Sequence, residues 1–273
     1  MRRAATSGPP EPNRLAKALF KFLWLLWCSQ GPLGHNMPWQ KLQSWQPVEP
    51  ISPREQEVTT VSPIYDITRT ISEELAEWPG DAPFSMGWSL HQSRGDVTNV
   101  GWVTMSTHYG SHIDAPYHFD TLRSTIDEVP LELFFGPARL IDVRGRQVIG
   151  REDLGEPDDW TATPRLLLRT GAWDDSSRYP TTIPVLADDV PEFLALHQVR
   201  LIGVDVPSVD ELSSTALPIH HALATRQIHI LEGLDLRLPP AGVYELIALP
   251  LKIRGADASP VRAILRGGSR RES

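Results

Sequence analysis

The chain has 273 residues, of which 41% are hydrophobic and 22% charged, and its formal net charge is −8. This length is sufficient to bury a sizeable core. The acidic balance argues against a nucleic-acid-binding protein, which normally presents a basic face. Cys28 is the only cysteine, so neither an intrachain disulfide nor a cysteine-based metal site is expected. A reducing, cytoplasmic setting fits this cysteine usage.

Residues 1–61 differ in composition from the rest of the chain. They contain eight of the 25 prolines and four of the nine tryptophans. Their apolar run at 18–27 is shorter than the roughly 20 residues that a membrane-spanning helix needs. A membrane-anchored protein is a further alternative, which this run alone supports. We predict a disordered extension or a start assigned too far upstream. A secretory signal peptide over residues 1–31 is the alternative.

From residue 62 onwards the chain is predicted to form one α/β domain that ends at residue 268, followed by a tail at 269–273. Seven short β-like runs predict strands, and several are nearly continuous in apolar residues, as expected for strands that are covered on both faces. These runs are 100–106, 138–143, 165–170, 199–206, 227–231, 244–253 and 261–265. Helices are predicted at 188–197 and 218–226. The expected fold is a single domain of mixed β-sheet or barrel-like strands with flanking short helices.

Three histidines and one aspartate are concentrated in a short segment, as His108, His112, Asp114 and His118. Alternate side chains of an extended strand point to the same side, which places His112 beside Asp114. Gly110 permits a tight bend that brings His108 alongside them. Imidazole and carboxylate ligands together suit Zn²⁺, with Mn²⁺ or Fe²⁺ also compatible. The segment therefore predicts a metal site, and histidines that cluster without a metal are the alternative.

A second group of candidate ligands lies further along the chain. His220 and His221 fall on a predicted helix, where adjacent side chains point about 100° apart, so only one of them can face a given metal. His229 and Glu232 have opposite parity on the following strand and are not expected to share a face. Glu232 precedes Gly233 at the end of that strand, where functional side chains often project.

The segment from His108 to His118 resembles the His-x-Gly-Thr-His-x-Asp-x-Pro-x-His motif of the cyclase-like metal-dependent hydrolases, with Ser111 in place of the usual threonine. Other stretches resemble further parts of these proteins in the same order, namely 65–68, 78–81, 203–210, 230–234, 244–252 and 257–262. The last stretches are most similar to the bacterial kynurenine formamidases (arylformamidases). The resemblance covers about 62–266, and the first 60 residues have no counterpart.

This resemblance implies a swivelling β/β/α fold, a homodimer and two Zn²⁺ ions per subunit, with Mn²⁺ possible. It implies that His108, His112, Asp114 and Glu232 hold one ion and that His220 lies on the second. Asp114 and Glu232 would bridge the pair. The interval of 12 residues from 220 to 232 favours His220 over its neighbour in the sequence.

The implied reaction is the hydrolysis of N-formyl-L-kynurenine to L-kynurenine and formate in tryptophan degradation, with water activated by the two metals. His118 would be the catalytic acid/base, and Trp78 would contact the aromatic part of the substrate. Asp205, Ser208 and Asp210 are expected to shape the pocket or support the ligands. A sister hydrolase that opens a cyclic amide or lactone is the alternative, and a non-catalytic metal-binding module is a second one.

Overall fold

The computed structural model describes residues 62–155 and 160–269. Contacts divide the chain into the units Met1–Thr59 and Thr60–Ser273, and every element given below belongs to the second unit. The extension predicted at 1–61, including its apolar run, the membrane anchor and the signal-peptide alternative, lies outside the described residues, as do residues 270–273 of the predicted tail.

Short strands dominate the described residues. They are β1 Ile64–Asp66, β2 Ser85–Leu90, β3 Val100–Thr104, β4 His112–Asp114, β5 Phe135–Asp142, β6 Val148–Ile149, β7 Arg165–Arg169, β8 Val185–Leu186, β9 Leu201–Val204, β10 His229–Glu232, β11 Gly242–Ile247, β12 Ala258–Pro260 and β13 Ile264–Ser269. The two α-helices in this part of the chain are α1 Val190–Leu196 and α2 Pro218–Thr225. None of the helices that the structure describes has the length and apolar character needed to cross a lipid bilayer.

Nine strands form one mixed sheet in the order β1-β13-β11-β5-β7-β9-β10-β4-β12. The central strands from β5 to β10 run parallel, whereas the strands on either side pair antiparallel. The segment in which the sequence predicts a metal site supplies β4, which lies between β10 and β12. The mixed sheet with few, short helices confirms the predicted fold class.

The central strands are apolar on both faces because the sheet separates two hydrophobic cores. In β7, Leu166 and Leu168 contribute to one core, while Leu167 between them contributes to the other. In β9, Ile202 and Leu201 are divided in the same way. Successive side chains of a strand point to opposite faces, so a continuous apolar run is what a doubly covered strand requires.

The structure corrects three of the predicted strands. The strand predicted at 100–106 forms as β3, but it pairs with β2 in a separate hairpin and does not join the main sheet. The run at 244–253 stops at Ile247, and Pro250, which has no N–H to donate, forms only an isolated bridge with Val261. The last strand begins at Ile264 instead of at residue 261.

Candidate metal centre

The elements around β4 bring together side chains that are far apart in the sequence. β4 and β10 are antiparallel, and Glu232 lies directly opposite His112. Asp114 follows two residues later, on the same face of β4 as His112. The turn before β4 contains Gly110 at φ +73°, and His108 enters the centre from that turn. His220 enters from the first turn of α2.

The carboxylates of Asp114 and Glu232 lie between two sets of imidazoles. His108 and His112 form the first set, and His220 is the second. Asp114 Oδ1 lies 3.2 Å from His108 Nδ1 and 3.4 Å from His112 Nε2. Asp114 Oδ2 lies 3.7 Å from His220 Nε2. Glu232 Oε2 lies 3.5 Å from His112 Nε2, and its Oε1 lies 3.5 Å from His220 Nε2. Each carboxylate therefore directs one oxygen to each set.

This cluster contains polar atoms that need a partner. His112, Asp114, His220 and Glu232 are all buried. Within the described residues, His112 Nε2 and both oxygens of Asp114 form no hydrogen bond. Two groups of potential metal ligands share Asp114, and the ligand atoms within each group lie within 4.8 Å of one another. Buried polar atoms are normally paired, and divalent cations suit this set of donors.

Hydrogen bonds orient the imidazoles that face the carboxylates. His112 Nδ1 donates to the carbonyl of Gly110 at 3.1 Å, which turns Nε2 towards the cluster. His220 Nδ1 donates to Asp210 Oδ2 at 2.6 Å. The Asp210 carboxylate also accepts the backbone N–H groups of Ile219 and His220, and so fixes the start of α2. Such partners set the tautomer of a metal-binding histidine.

Asp257 has an analogous role for His108, which the sequence reading did not identify. Its Oδ2 accepts a hydrogen bond from His108 Nε2 at 3.0 Å and lies 3.6 Å from His118 Nδ1. Thr107 donates to its other oxygen at 2.8 Å. The hydrogen bond from His108 holds the pKa of the Asp257 carboxyl below its usual range. The only sequence signal for this residue is its position in a stretch that resembles the family.

The electrostatics of the cluster favour positive charge. Burial alone would lower the pKa of His108, His112 and His220, but their carboxylate partners raise the pKa of His108 to about 9 and those of His112 and His220 to about 10. The same contacts hold the pKa of Asp114 well below its usual range despite burial. In His118, by contrast, burial lowers the pKa of the imidazole.

Two backbone segments meet very closely beside the cluster. Ser111 Oγ donates to the carbonyl of Gly233 at 2.7 Å and accepts the N–H of Arg69 at 2.9 Å. Gly233 has φ +66°, and a Cβ at this position would collide with the carbonyl of Gly110. Only glycine accommodates both the positive φ and this contact.

A cavity of about 400 Å³ opens in front of the cluster. Its wall includes His118, Trp78 and Ser208 together with four residues of the cluster, namely His108, His112, His220 and Glu232. The side chain of His118 is 32% exposed, so it can reach a bound molecule. A cavity of this size can enclose a small aromatic ligand.

The remaining candidates lie outside the cluster. His221 is exposed, and its ring lies 6.1 Å from that of Phe119. His229 lies on the opposite side of β10 from Glu232, with its ring 6.2 Å from that of Phe134. The Asp205 carboxylate accepts hydrogen bonds from the backbone N–H groups of residues 170 and 171 and therefore stabilises this part of the backbone.

Comparison with known proteins identifies the family. Residues 65–211 match the Cyclase family, described as "Putative cyclase". The kynurenine formamidase of Geobacillus thermodenitrificans is 45% identical over 206 residues, which are 76% of this chain and 98% of that protein. The chain belongs to the cyclase family, which confirms the resemblance carried by the segment from His108 to His118.

Solved structures agree with this assignment. A potential metal-dependent hydrolase with cyclase activity is 27% identical with a TM-score of 0.64, and the match covers 76% of this chain and 99% of that one. Isatin hydrolase A from Labrenzia aggregata is 25% identical with a TM-score of 0.64, covering 76% and 94% of the two chains.

Proposed function

We propose that this chain hydrolyses N-formyl-L-kynurenine, an aryl formamide, to L-kynurenine and formate in tryptophan degradation. The observation that carries the proposal is the 45% identity to a kynurenine formamidase, which extends over 98% of that protein. The cavity of about 400 Å³ in front of a cluster of histidines and carboxylates supports it. An amide requires both an activated nucleophile and a proton for the departing amine, and the cluster offers residues for each task.

The chemistry of the cluster supports two divalent cations, which we propose to be Zn²⁺, with Mn²⁺ as the other candidate. His108, His112, Asp114 and Glu232 would hold the first, and His220 would hold the second. The two oxygens of each carboxylate face different imidazoles, which is the arrangement that bridging ligands need. When bound, such cations lower the pKa of water to about 7 and polarise a carbonyl oxygen.

His118 is proposed to move the proton. Burial lowers its pKa, so the imidazole is neutral at neutral pH and can accept a proton from the attacking water. Asp257 lies 3.6 Å from Nδ1, and its negative charge favours the tautomer that carries a proton on Nδ1. This leaves Nε2 as the base, which can then deliver the proton to the departing aniline nitrogen.

Trp78 is proposed to contact the aromatic ring of the substrate. It lies on the cavity wall and is 37% exposed. A flat apolar surface at this position positions an aryl formamide by stacking and excludes water from one side of it.

Hydrolysis of a cyclic amide is the second candidate function. The similarity to isatin hydrolase A, at 25% identity, favours it. The linear formamide is preferred because the identity to the kynurenine formamidase is higher, at 45% over 98% of that protein.

Activity measured with both substrates tests this choice. Metal-loaded protein is incubated separately with N-formyl-L-kynurenine and with isatin, and the absorbance of kynurenine and of opened isatin is followed. We expect turnover of the formamide that is lost on chelation and restored by Zn²⁺ or Mn²⁺. Turnover of isatin alone would replace the proposed function by the second candidate, and turnover of neither would overturn both.

A homodimer is also proposed. The hairpin of β2 and β3 carries five large apolar side chains that are 44–57% exposed, namely Met86, Trp88, Val100, Trp102 and Val103. Met86, Trp88 and Val103 share one face of the hairpin, because Met86 pairs with Val103 and side chains alternate along a strand. Exposed apolar side chains that adjoin one another in this way mark interaction surfaces. The solution mass from light scattering, compared between the wild type and Trp88→Ser, measures whether two copies associate through the hairpin.

The catalytic unit is proposed to be residues 62–268. Every proposed site residue, from Trp78 onwards, lies within this range. Removal of residues 1–57 is expected to leave formamidase activity unchanged, and loss of folded protein or activity would assign a role to that segment.

A further inference from the structure

Tyr179 lies on the wall of the same cavity, although no sequence motif includes it. Its ring contacts that of Trp78 edge to face, with the centroids 5.6 Å apart at an interplanar angle of 80°. The two aromatic residues also line an adjoining cavity of about 640 Å³. They therefore stand at the boundary between the space in front of the metal cluster and a wider space beyond it.

The hydroxyl group of Tyr179 is an unpaired polar atom. Its oxygen is buried and forms no hydrogen bond within residues 62–155 and 160–269. A buried hydroxyl without a partner is unfavourable, and a native structure rarely keeps one without a reason. A phenol in this position can donate one hydrogen bond to an oxygen atom that enters the cavity.

The ring of Tyr179 is held firmly in place. Trp173 packs against it with a centroid distance of 6.1 Å. Trp173 Nε1 donates to the carbonyl of Arg178 at 2.9 Å and so fixes the peptide immediately before the tyrosine. Arg69 in turn lies over the face of Trp173 at 4.1 Å. The ring that carries the hydroxyl is therefore positioned by its surroundings.

The position of Tyr179 indicates which part of a substrate it meets. The formamide must lie at the metal cluster and His118, and Trp78 is the proposed contact of the aromatic ring. The cavity wall continues from Trp78 to Tyr179 and on towards the second cavity. A ring substituent that continues past Trp78, away from the metal cluster, leads in this direction.

We propose that Tyr179 is a specificity-determining residue, whose hydroxyl donates a hydrogen bond to an oxygen of the side chain that the substrate carries beside the formamide. This inference rests on the proposed function. In N-formyl-L-kynurenine that side chain has a ketone oxygen and a carboxylate, both of which are acceptors. Burial raises the pKa of Tyr179, and the negative charges of Glu232 and Asp81 raise it further, so the phenol is a neutral donor.

The substitution Tyr179→Phe removes the hydroxyl and retains the ring. The test compares two substrates, N-formyl-L-kynurenine and formanilide, which has the same aryl formamide but no side chain. For N-formyl-L-kynurenine we expect kcat/KM to fall, mainly through KM, because one hydrogen bond is lost. The loss should be about 3- to 10-fold if the ketone is the acceptor and more than about 10-fold if the charged carboxylate is. For formanilide we expect no change.

The outcomes separate this inference from the proposed function. A wild type that hydrolyses neither substrate overturns the function itself. An active wild type with an equally active Tyr179→Phe variant overturns only the role of the hydroxyl, whose partner would then be water. An equal loss with both substrates would also overturn it, because the hydroxyl would then act on the formamide or on the fold. Thermal unfolding of both proteins checks that the variant is intact.

Discussion

His112 and Glu232 occupy directly opposed positions on the antiparallel strands β4 and β10, with His112 Nε2 3.5 Å from Glu232 Oε2. The sheet register itself therefore positions an imidazole beside a carboxylate. Because strand pairing fixes this distance, the proposed ligands are preorganised by backbone hydrogen bonds. Substitutions in the cluster should consequently change metal binding and activity before they change the fold.

His220 and His221 provide a matched pair of variants. His220 Nε2 faces both carboxylates, whereas His221 is exposed. Loss of a partner that only supports a ligand typically costs 10- to 100-fold in metal affinity, so His220→Ala should lose at least about 100-fold. The His221→Ala variant should bind the metal as tightly as the wild type does. Metal content after dialysis against a graded chelator measures both, and equal retention would contradict the assignment of His220.

His118→Asn should separate catalysis from metal binding. If His118 transfers protons, kcat should fall roughly 10²- to 10⁴-fold. Metal content should stay the same because His118 contacts Asp257 and not the shared carboxylates. A variant that loses its metal would instead identify His118 as a ligand.

Asp257→Asn tests the carboxylate that contacts both His108 and His118. The amide keeps the shape of the side chain but removes the negative charge that favours the proposed tautomer of His118. We expect kcat to fall about 10- to 100-fold with KM nearly unchanged. Metal affinity measured in parallel shows whether the hydrogen bond from His108 to Asp257 also contributes to metal binding. An unchanged kcat would contradict a role of Asp257 in the reaction.

His229 should make stability depend on pH. Burial lowers its pKa to about 4 in the folded chain, whereas in the unfolded chain the pKa is about 6.5. As the pH falls below 6.5, the unfolded chain takes up a proton before the folded chain does, so stability decreases towards pH 4. The contribution lost between pH 7 and 4.5 is about 2 kcal/mol. Urea unfolding at both values should show this loss, and His229→Asn should reduce the pH dependence by that amount.

Local periodicity was sufficient to predict part of the centre. Alternation along an extended segment places His112 and Asp114 on one side, and the structure has them on one strand. The predicted bend at Gly110 corresponds to φ +73°. The expected separation of His220 from its neighbour follows from helical geometry alone. These relationships extend over only a few residues, and over that distance the backbone conformation determines the direction in which each side chain points.

The contacts that local periodicity could not predict are long-range. Asp257 lies 149 residues from His108 and comes from a loop, where no repeating pattern constrains a side chain. Tyr179 also lies in a connection, and its position depends on packing against Trp173. The three-residue strands are too short to show a period, which is why β1 and β12 were not predicted.

The close approach of Gly233 to Gly110 has a consequence for how the protein matures after synthesis. Ser111 and Gly233 are 122 residues apart, and both strands that pair with β4 follow it in the chain. At roughly 5–20 residues per second, the ribosome takes on the order of ten seconds to proceed from β4 to β10. The proposed ligands on β4 have no completed site during that time. Metal uptake by the complete set of proposed ligands should therefore wait until β10 has been synthesised.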